Sequence, residues 1–338
     1  MKKVFLTLVG IMAAGILGGC GKEAAPDTAS NENVAEKADY KVALVTGIGG
    51  LGDESFNDSL YEGIKQAQST LGITYQLVEP QEYAELADDF NELALDGKYD
   101  LIIGCGYEAV EGIEAAAKEY PEQKFILVDG DLEGYDNLQS VYFRDNEKTF
   151  LVGMMAAMQT KTGKIGMVAA TDTPDQHVFV AGYMAGAQYV NPDIDISVKY
   201  TGSFEDTATA KELAIALSEG GVDVIYAAAG GAGLGVYSSA DEYHFWSIGT
   251  DTNLCPDYPE SMVISAYRDM ANVVEMQVRN AVDGNFKGGK VSVGLVEEAL
   301  GITNEGSNVE TNDSFWEEID KAKGAIMSGE IEVPSSLE

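Results

Sequence analysis

Gly47-Ile48-Gly49-Gly50-Leu51-Gly52-Asp53-Glu54-Ser55-Phe56-Asn57 follows the apolar run Val42-Ala43-Leu44-Val45. A buried strand that runs into a glycine turn and then a helix is the entry to an open α/β sheet. Gly47, Gly49 and Gly52 also keep the G-x-G-x-x-G spacing of a dinucleotide loop. The residues after the glycines argue for another occupant. Asp53 and Glu54 stand where the next helix would offer its N–H groups and positive dipole end to a pyrophosphate, and their charge repels one. Glu79, at the end of the second strand, is placed where an acid could hold a ribose, which is the one further point in favour of a dinucleotide. No acid–base pair or positioned cysteine elsewhere points to a dehydrogenase.

The same residues suit a neutral polar ligand. Asp53 can accept hydroxyl hydrogens from a vicinal diol, and Ser55 with the free helix N–H groups can add polar contacts. Asn57 offers both a donor and an acceptor to a heteroaromatic edge, and Phe56 offers a face for a planar ring. Taken singly, Asp53 and Ser55 could equally be helix caps and Phe56 core filler. The four together read as a site.

Strand-like runs alternate with helix-length segments along most of the chain, the pattern of a parallel sheet with crossover helices. The strands are expected at Lys41–Thr46, Thr74–Val78, Leu101–Gly104, Phe125–Asp129, Gln139–Tyr142, Ile165–Ala169, Ile196–Tyr200, Val222–Tyr226, Trp246–Gly249 and Met262–Ala266. That number exceeds one compact doubly wound sheet, so two similar α/β lobes are expected. The glycine turn after Val42 has an echo in Gly230-Gly231-Ala232-Gly233-Leu234-Gly235 after Val222–Ile225. Ligands of open α/β sheets lie beyond the carboxyl ends of the strands, so facing lobes would bring both turns to one cleft.

The amino-terminal segment speaks to location. Lys2 and Lys3 precede the apolar Val4–Leu17, which is short for a membrane span and reads as a cleaved secretory signal. Leu17-Gly18-Gly19-Cys20 resembles a bacterial lipobox, in which the cysteine is lipid-modified and becomes the first mature residue. Residues 1–19 are then the signal. Residues 20–39 are the lipidated cysteine and a flexible tether, able to stretch over about 60–70 Å. The formal charge of −35 makes nucleic acid and anionic lipid poor partners. Cys105 and Cys255 read as free thiols, no metal spacing is visible, and no cofactor is expected. His177 and His244 stand isolated, and Met154, Met155 and Met158 read as core.

Gly50-Leu51-Gly52-Asp53-Glu54-Ser55-Phe56-Asn57 resembles the G-x-x-D-x-S-F-N signature of the basic membrane protein family, the purine-nucleoside-binding lipoproteins of ABC importers. Further similarities follow in order: Phe125–Gly130 to F-x-x-x-D-G, Phe150-Leu151-Val152-Gly153 to Y-L-A-G, Tyr200–Asp206 to Y-x-G-S-F-x-D, Val222–Gly231 to A-D-V-I-F-x-A-A-G-G, and Ile248-Gly249-Thr250-Asp251 to I-G-x-D. The resemblance implies a type I periplasmic-binding-protein-like fold, with two doubly wound parallel-sheet lobes, a hinge and a ligand cleft between them. It implies crossings near Phe143, Tyr267 and Lys287, giving one lobe from 40–143 plus 267–287 and another from 144–266 plus 288–338. By the same resemblance, Phe56 and Tyr226 would sandwich a base, Asn57 and Asp129 would bond its edge, and Asp53 and Asp251 would take ribose hydroxyls near Gly230. Arg268 stands where the family usually has lysine, and Tyr226 where it has phenylalanine. Tyr107 either lines the cleft or packs on its lobe. Three carboxylates against one guanidinium disfavour a phosphate, hence a nucleoside over a nucleotide.

The expectation is therefore capture, not catalysis: a monomeric lipoprotein on the extracytoplasmic face of the membrane that passes a purine nucleoside to an ABC permease. A riboflavin-like or sugar ligand in the same architecture is the alternative. An exported nucleoside-processing enzyme is the other, although no dense aspartate run for calcium is present.

Overall fold

The computed structural model describes residues 40–53 and 56–337. The expected signal, Cys20, the expected tether, Glu54 and Ser55 lie outside the described residues. No helix among those described is long and apolar enough to cross a membrane.

Two six-stranded sheets organise the chain. The first contains β1 (Lys41–Val45), β2 (Thr74–Val78), β3 (Leu101–Cys105), β4 (Phe125–Val128), β5 (Leu138–Phe143) and β11 (Gly289–Val293), in the order β11-β5-β4-β3-β1-β2 and parallel throughout. The second contains β6 (Lys164–Ala169), β7 (Asp195–Tyr200), β8 (Val224–Ala228), β9 (Trp246–Asp251), β10 (Met262–Arg268) and β12 (Leu300–Thr303), in the order β12-β10-β9-β8-β6-β7. Only β12, on the edge of that sheet, runs antiparallel to its neighbour. Central strands such as β3 and β8 are buried along their whole length, as expected of parallel strands covered by helices on both faces.

The helices explain the crossings. After Phe143 the chain enters α4 (Asp145–Gln159), which packs on α5 (Pro174–Val190) of the second lobe. A Cβ added at Gly153 would collide with the carbonyl of Tyr183, and one at Gly186 with the carbonyl of Phe150. These glycines bring the two helix backbones together, so the Phe150–Gly153 motif serves packing. After Arg268 the chain forms α9 (Met270–Val282), which lies against α1 (Phe56–Leu71) of the first lobe, where Gly63 leaves room for the backbone of Ala271.

The third crossing falls later than Lys287. Residues 289–293 form β11, which pairs with β5, so this segment belongs to the first sheet and the return comes at Gly294. The alternating Lys290-Val291-Ser292-Val293 is a short edge strand exposed on one side, a weaker signal than the continuous apolar runs of the interior. β12 is short for the same reason, and its antiparallel pairing departs from an all-parallel lobe.

Candidate functional site: an acidic cleft between two lobes

The carboxyl ends of the parallel strands of both sheets open on one cavity of about 600 Å³, within the size range of small-molecule sites. Gly47, Gly49, Gly52, Asp53, Phe56, Asn57, Tyr107 and Asp129 line it from the first lobe, and Gly230, Gly231, Asp251 and Arg268 from the second. Both glycine turns therefore face the same space.

The opening loop has little left to offer a phosphate. Four of its N–H groups are taken by side chains of its own lobe: Gly47 donates to Asn57 Oδ1 at 2.9 Å, Ile48 to Glu108 at 3.1 Å, Leu51 to Glu79 at 3.0 Å and Gly52 to Asp58 at 2.9 Å. Gly49, Gly50 and Gly52 have positive φ, which lets the turn bend back on these acceptors. Glu79 thus serves a backbone N–H of the loop. Three of the four acceptors are carboxylates, the reverse of a cradle for an anion.

Asp53 caps α1, its two oxygens accepting the N–H of Asn57 at 2.8 Å and of Asp58 at 3.2 Å while it borders the cleft. Asn57 is almost wholly buried, and its bond from Gly47 fixes the amide: Oδ1 is engaged with the backbone and Nδ2 is left to donate. Phe56 presents its ring to the cavity beside the guanidinium of Arg268, 5.9 Å from the ring centre.

Asp129 and Asp251 end equivalent strands in the two lobes, just beyond β4 and at the end of β9, and both hold left-handed backbone with φ of 62° and 66°. Non-glycine residues seldom adopt this conformation, aspartate more readily than most, and such positions gather at ligand sites. Here it turns each carboxylate toward the gap between the sheets.

Beneath them lies a buried charge cluster. Arg268 donates from Nε and Nη2 to the two oxygens of Asp145, at 2.9 and 2.7 Å, and from Nη1 to Asp129 at 3.0 Å. Asp251 lies 3.8 Å from Arg268 Nε. Lys148, one helical turn beyond Asp145, brings its ammonium to 2.7 Å from Asp145 and 4.0 Å from Asp251. Burial pushes the Asp129 carboxyl above its ordinary range, Arg268 opposing it. In Asp145, burial is outweighed by Arg268 and Lys148, and its pKa is lowered. The cluster sets three carboxylates, Asp129, Asp145 and Asp251, against two cations, and Asp145 and Lys148 are the members that the sequence alone did not indicate.

Tyr226 does not face the cavity. Its ring is fully buried below the cavity floor against Tyr183 of α5, with centroids 5.6 Å apart, and its hydroxyl lies 3.2 Å from that of Thr250. Side chains alternate along a strand, so Tyr226 shares its face of β8 with the cavity-lining Ala228, two residues nearer the carboxyl end, and sits deeper than the cavity. The second aromatic wall is Phe179 of α5, which lines the cleft with its ring centre 5.4 Å from the Arg268 guanidinium. Phe204 and Tyr107 meet across the mouth at 6.1 Å between ring centres. Phe179, Asp145 and Lys148 carried no motif in the sequence, whereas Phe204 stood inside the Tyr200–Asp206 stretch. His177 is not isolated: its Nε2 lies 2.7 Å from Asp172. Cys105 and Cys255 are both buried free thiols.

A family profile described as "ABC transporter substrate-binding protein PnrA-like" matches residues 40–336. The chain belongs to the Bmp family. Among its relatives, the CD4+ T-cell-stimulating antigen of Listeria monocytogenes is 33% identical over 360 residues, covering 98% of this chain and 99% of that protein. The ABC transporter nucleoside-binding protein BmpA of Lactococcus lactis is 31% identical over 361 residues, covering 99% of this chain and 100% of that protein. The crystal structure of an ABC transporter solute-binding protein from Aeropyrum pernix superposes with a TM-score of 0.81 at 30% identity, over 88% of this chain and 94% of that one. As a Bmp-family member, the chain is the substrate-binding protein of an ABC transporter. Membership of the family implies a ligand and a membrane permease as partners.

Proposed function

We propose that this Bmp-family protein captures a purine nucleoside between its two lobes and passes it to its permease from the extracytoplasmic face of the membrane, held there by lipid on Cys20. The observation that carries the reading is the pairing, in one cavity, of the Phe56 and Phe179 rings with an amide fixed as donor at Asn57 and aspartates on both lobes. A flat base fits between rings, its acceptor edge toward Asn57 and its amino or imino hydrogens toward Asp129. Ribose hydroxyls are donors, and Asp53 and Asp251 are acceptors. A phosphate is disfavoured because four of the loop N–H groups are occupied and the carboxylates outnumber the cations.

A ligand that lacks one of these hydrogen-bonding groups leaves a desolvated protein group unpaired, which is where selectivity comes from. The named function of the Lactococcus lactis relative agrees with this reading. The experiment is a thermal-shift panel on the full-length protein with purine nucleosides, free bases, nucleotides, riboflavin and sugars. A rise in melting temperature with at least one purine nucleoside and none with its monophosphate is expected. A response to riboflavin or a sugar instead would move the protein to another cargo.

A further inference from the structure

Lys148 is a fully buried lysine with no place in the proposed ligand contacts. Its ammonium forms a close ion pair with Asp145 but has no well-aligned hydrogen-bond partner, so its donors are held by charge and not by geometry. Around it stand Asp145 on its own helix, Asp251 at the end of β9, Arg268 at the end of β10 and, through Arg268, Asp129 beyond β4. α5 contributes the Phe179 ring, whose centre is 5.2 Å from Lys148 Nζ, and β8 contributes the Tyr226 hydroxyl, engaged with Thr250.

We propose that Lys148 is a positioning residue for ligand capture. Without bordering the cavity, its ammonium, set between Asp145 and the cleft-lining Asp251, limits the buried cluster to one uncompensated negative charge. Burial lowers the pKa of Lys148, but Asp145 is kept ionised by its two bonds to Arg268, and an anion at 2.7 Å keeps the lysine protonated. Removing that charge leaves three carboxylates facing one guanidinium. Bringing the lobes together around such a cluster would require uptake of a proton, because two uncompensated buried charges are costly.

This predicts a change in proton linkage. A carboxyl whose pKa is raised in the closed form supports closure below its open-form pKa, and that support is lost as pH rises through the closed-form value. In Lys148→Met, affinity should therefore match the native protein within about threefold at pH 5.5 and weaken with rising pH by at most about tenfold per unit. The native protein and Lys148→Arg should show no such slope. The double variant Lys148→Met with Asp145→Asn restores the native charge excess and should lose the slope again.

The inference rests on the nucleoside reading only for its ligand arm, so two arms are run on the full-length protein. One measures the dissociation constants of adenosine and guanosine from pH 5.5 to 8.5, and the other the melting temperature without ligand over the same range. If the native protein binds neither nucleoside, the nucleoside reading fails and the melting arm decides: Lys148→Met must lose stability relative to the native protein as pH rises, and the double variant must regain it. Should Lys148→Met not fold at neutral pH, recovery in the double variant carries the same support. An equal loss at every pH, or a double variant no better than the single one, overturns the proposal.

Discussion

Arg268 Nη1 stands 3.0 Å from Asp129 Oδ2, and the two residues belong to different sheets. Arg268 closes β10 of the second lobe, Asp129 follows β4 of the first, and the same guanidinium grips Asp145 at the start of α4. One side chain therefore ties together both lobes and the first crossover segment. Arg268→Ala would leave Asp129 without its guanidinium and Asp145 with Lys148 alone, a loss on the order of 3 kcal/mol, together with more than tenfold weaker ligand binding. Arg268→Lys should fall between, since a lysine supplies the charge but not the two-pronged contact with Asp145. Thermal melts and calorimetry on both variants check this.

Phe56→Ala and Asp53→Ala are each expected to weaken nucleoside binding by more than tenfold. They differ in how they act. Phe56 offers a stacking face, while Asp53 holds the first turn of α1 as well as bordering the cleft, so Asp53→Ala should also lower the melting temperature, by the equivalent of about 1 kcal/mol. Unchanged affinity in both variants would reduce the opening loop to a structural turn.

The aromatic walls separate cleanly. Phe179→Ala should weaken binding at least tenfold, whereas Tyr226→Phe should leave affinity within about twofold and cost roughly 1 kcal/mol of stability through the hydroxyl contact with Thr250. A strong binding defect in Tyr226→Phe would bring its hydroxyl, with Thr250, into the site.

Glu108 gives a prediction in pH. Burial raises its pKa above the ordinary glutamate value, with Glu205 adding to the effect and the N–H of Ile48 opposing it. The folded state thus holds this proton more tightly than the unfolded chain, and stability falls as pH rises through the raised value. Glu108→Gln keeps an acceptor for Ile48 without the charge. Its melting temperature should exceed that of the native protein at pH 7, and the gap should close toward pH 4.

How far the sequence reaches is seen in particular residues. The apolar runs of the central strands, the glycine turns and the order of motifs were enough for two parallel α/β lobes and for Phe56, Asn57, Asp129, Asp251 and Arg268 along one cleft. Two kinds of feature were not legible. The edge strands β11 and β12 are short and part exposed, so their partners are set by tertiary pairing and not by pattern. Phe179 lines the cleft and Tyr226 does not, because how deep a side chain sits along a fully buried strand leaves no mark in the sequence: every residue of β8 is buried. Lys148 was invisible for another reason, since a lysine in a helix reads as solvated until its burial is seen.

The most direct measurement is a calorimetric titration of the full-length protein with adenosine, guanosine and inosine, and with the 5′-monophosphate of whichever binds most tightly. The account requires saturable binding of at least one nucleoside and a loss of a hundredfold or more on adding the phosphate. Binding of the monophosphate as tightly as the nucleoside, or no binding of any purine nucleoside, would contradict it.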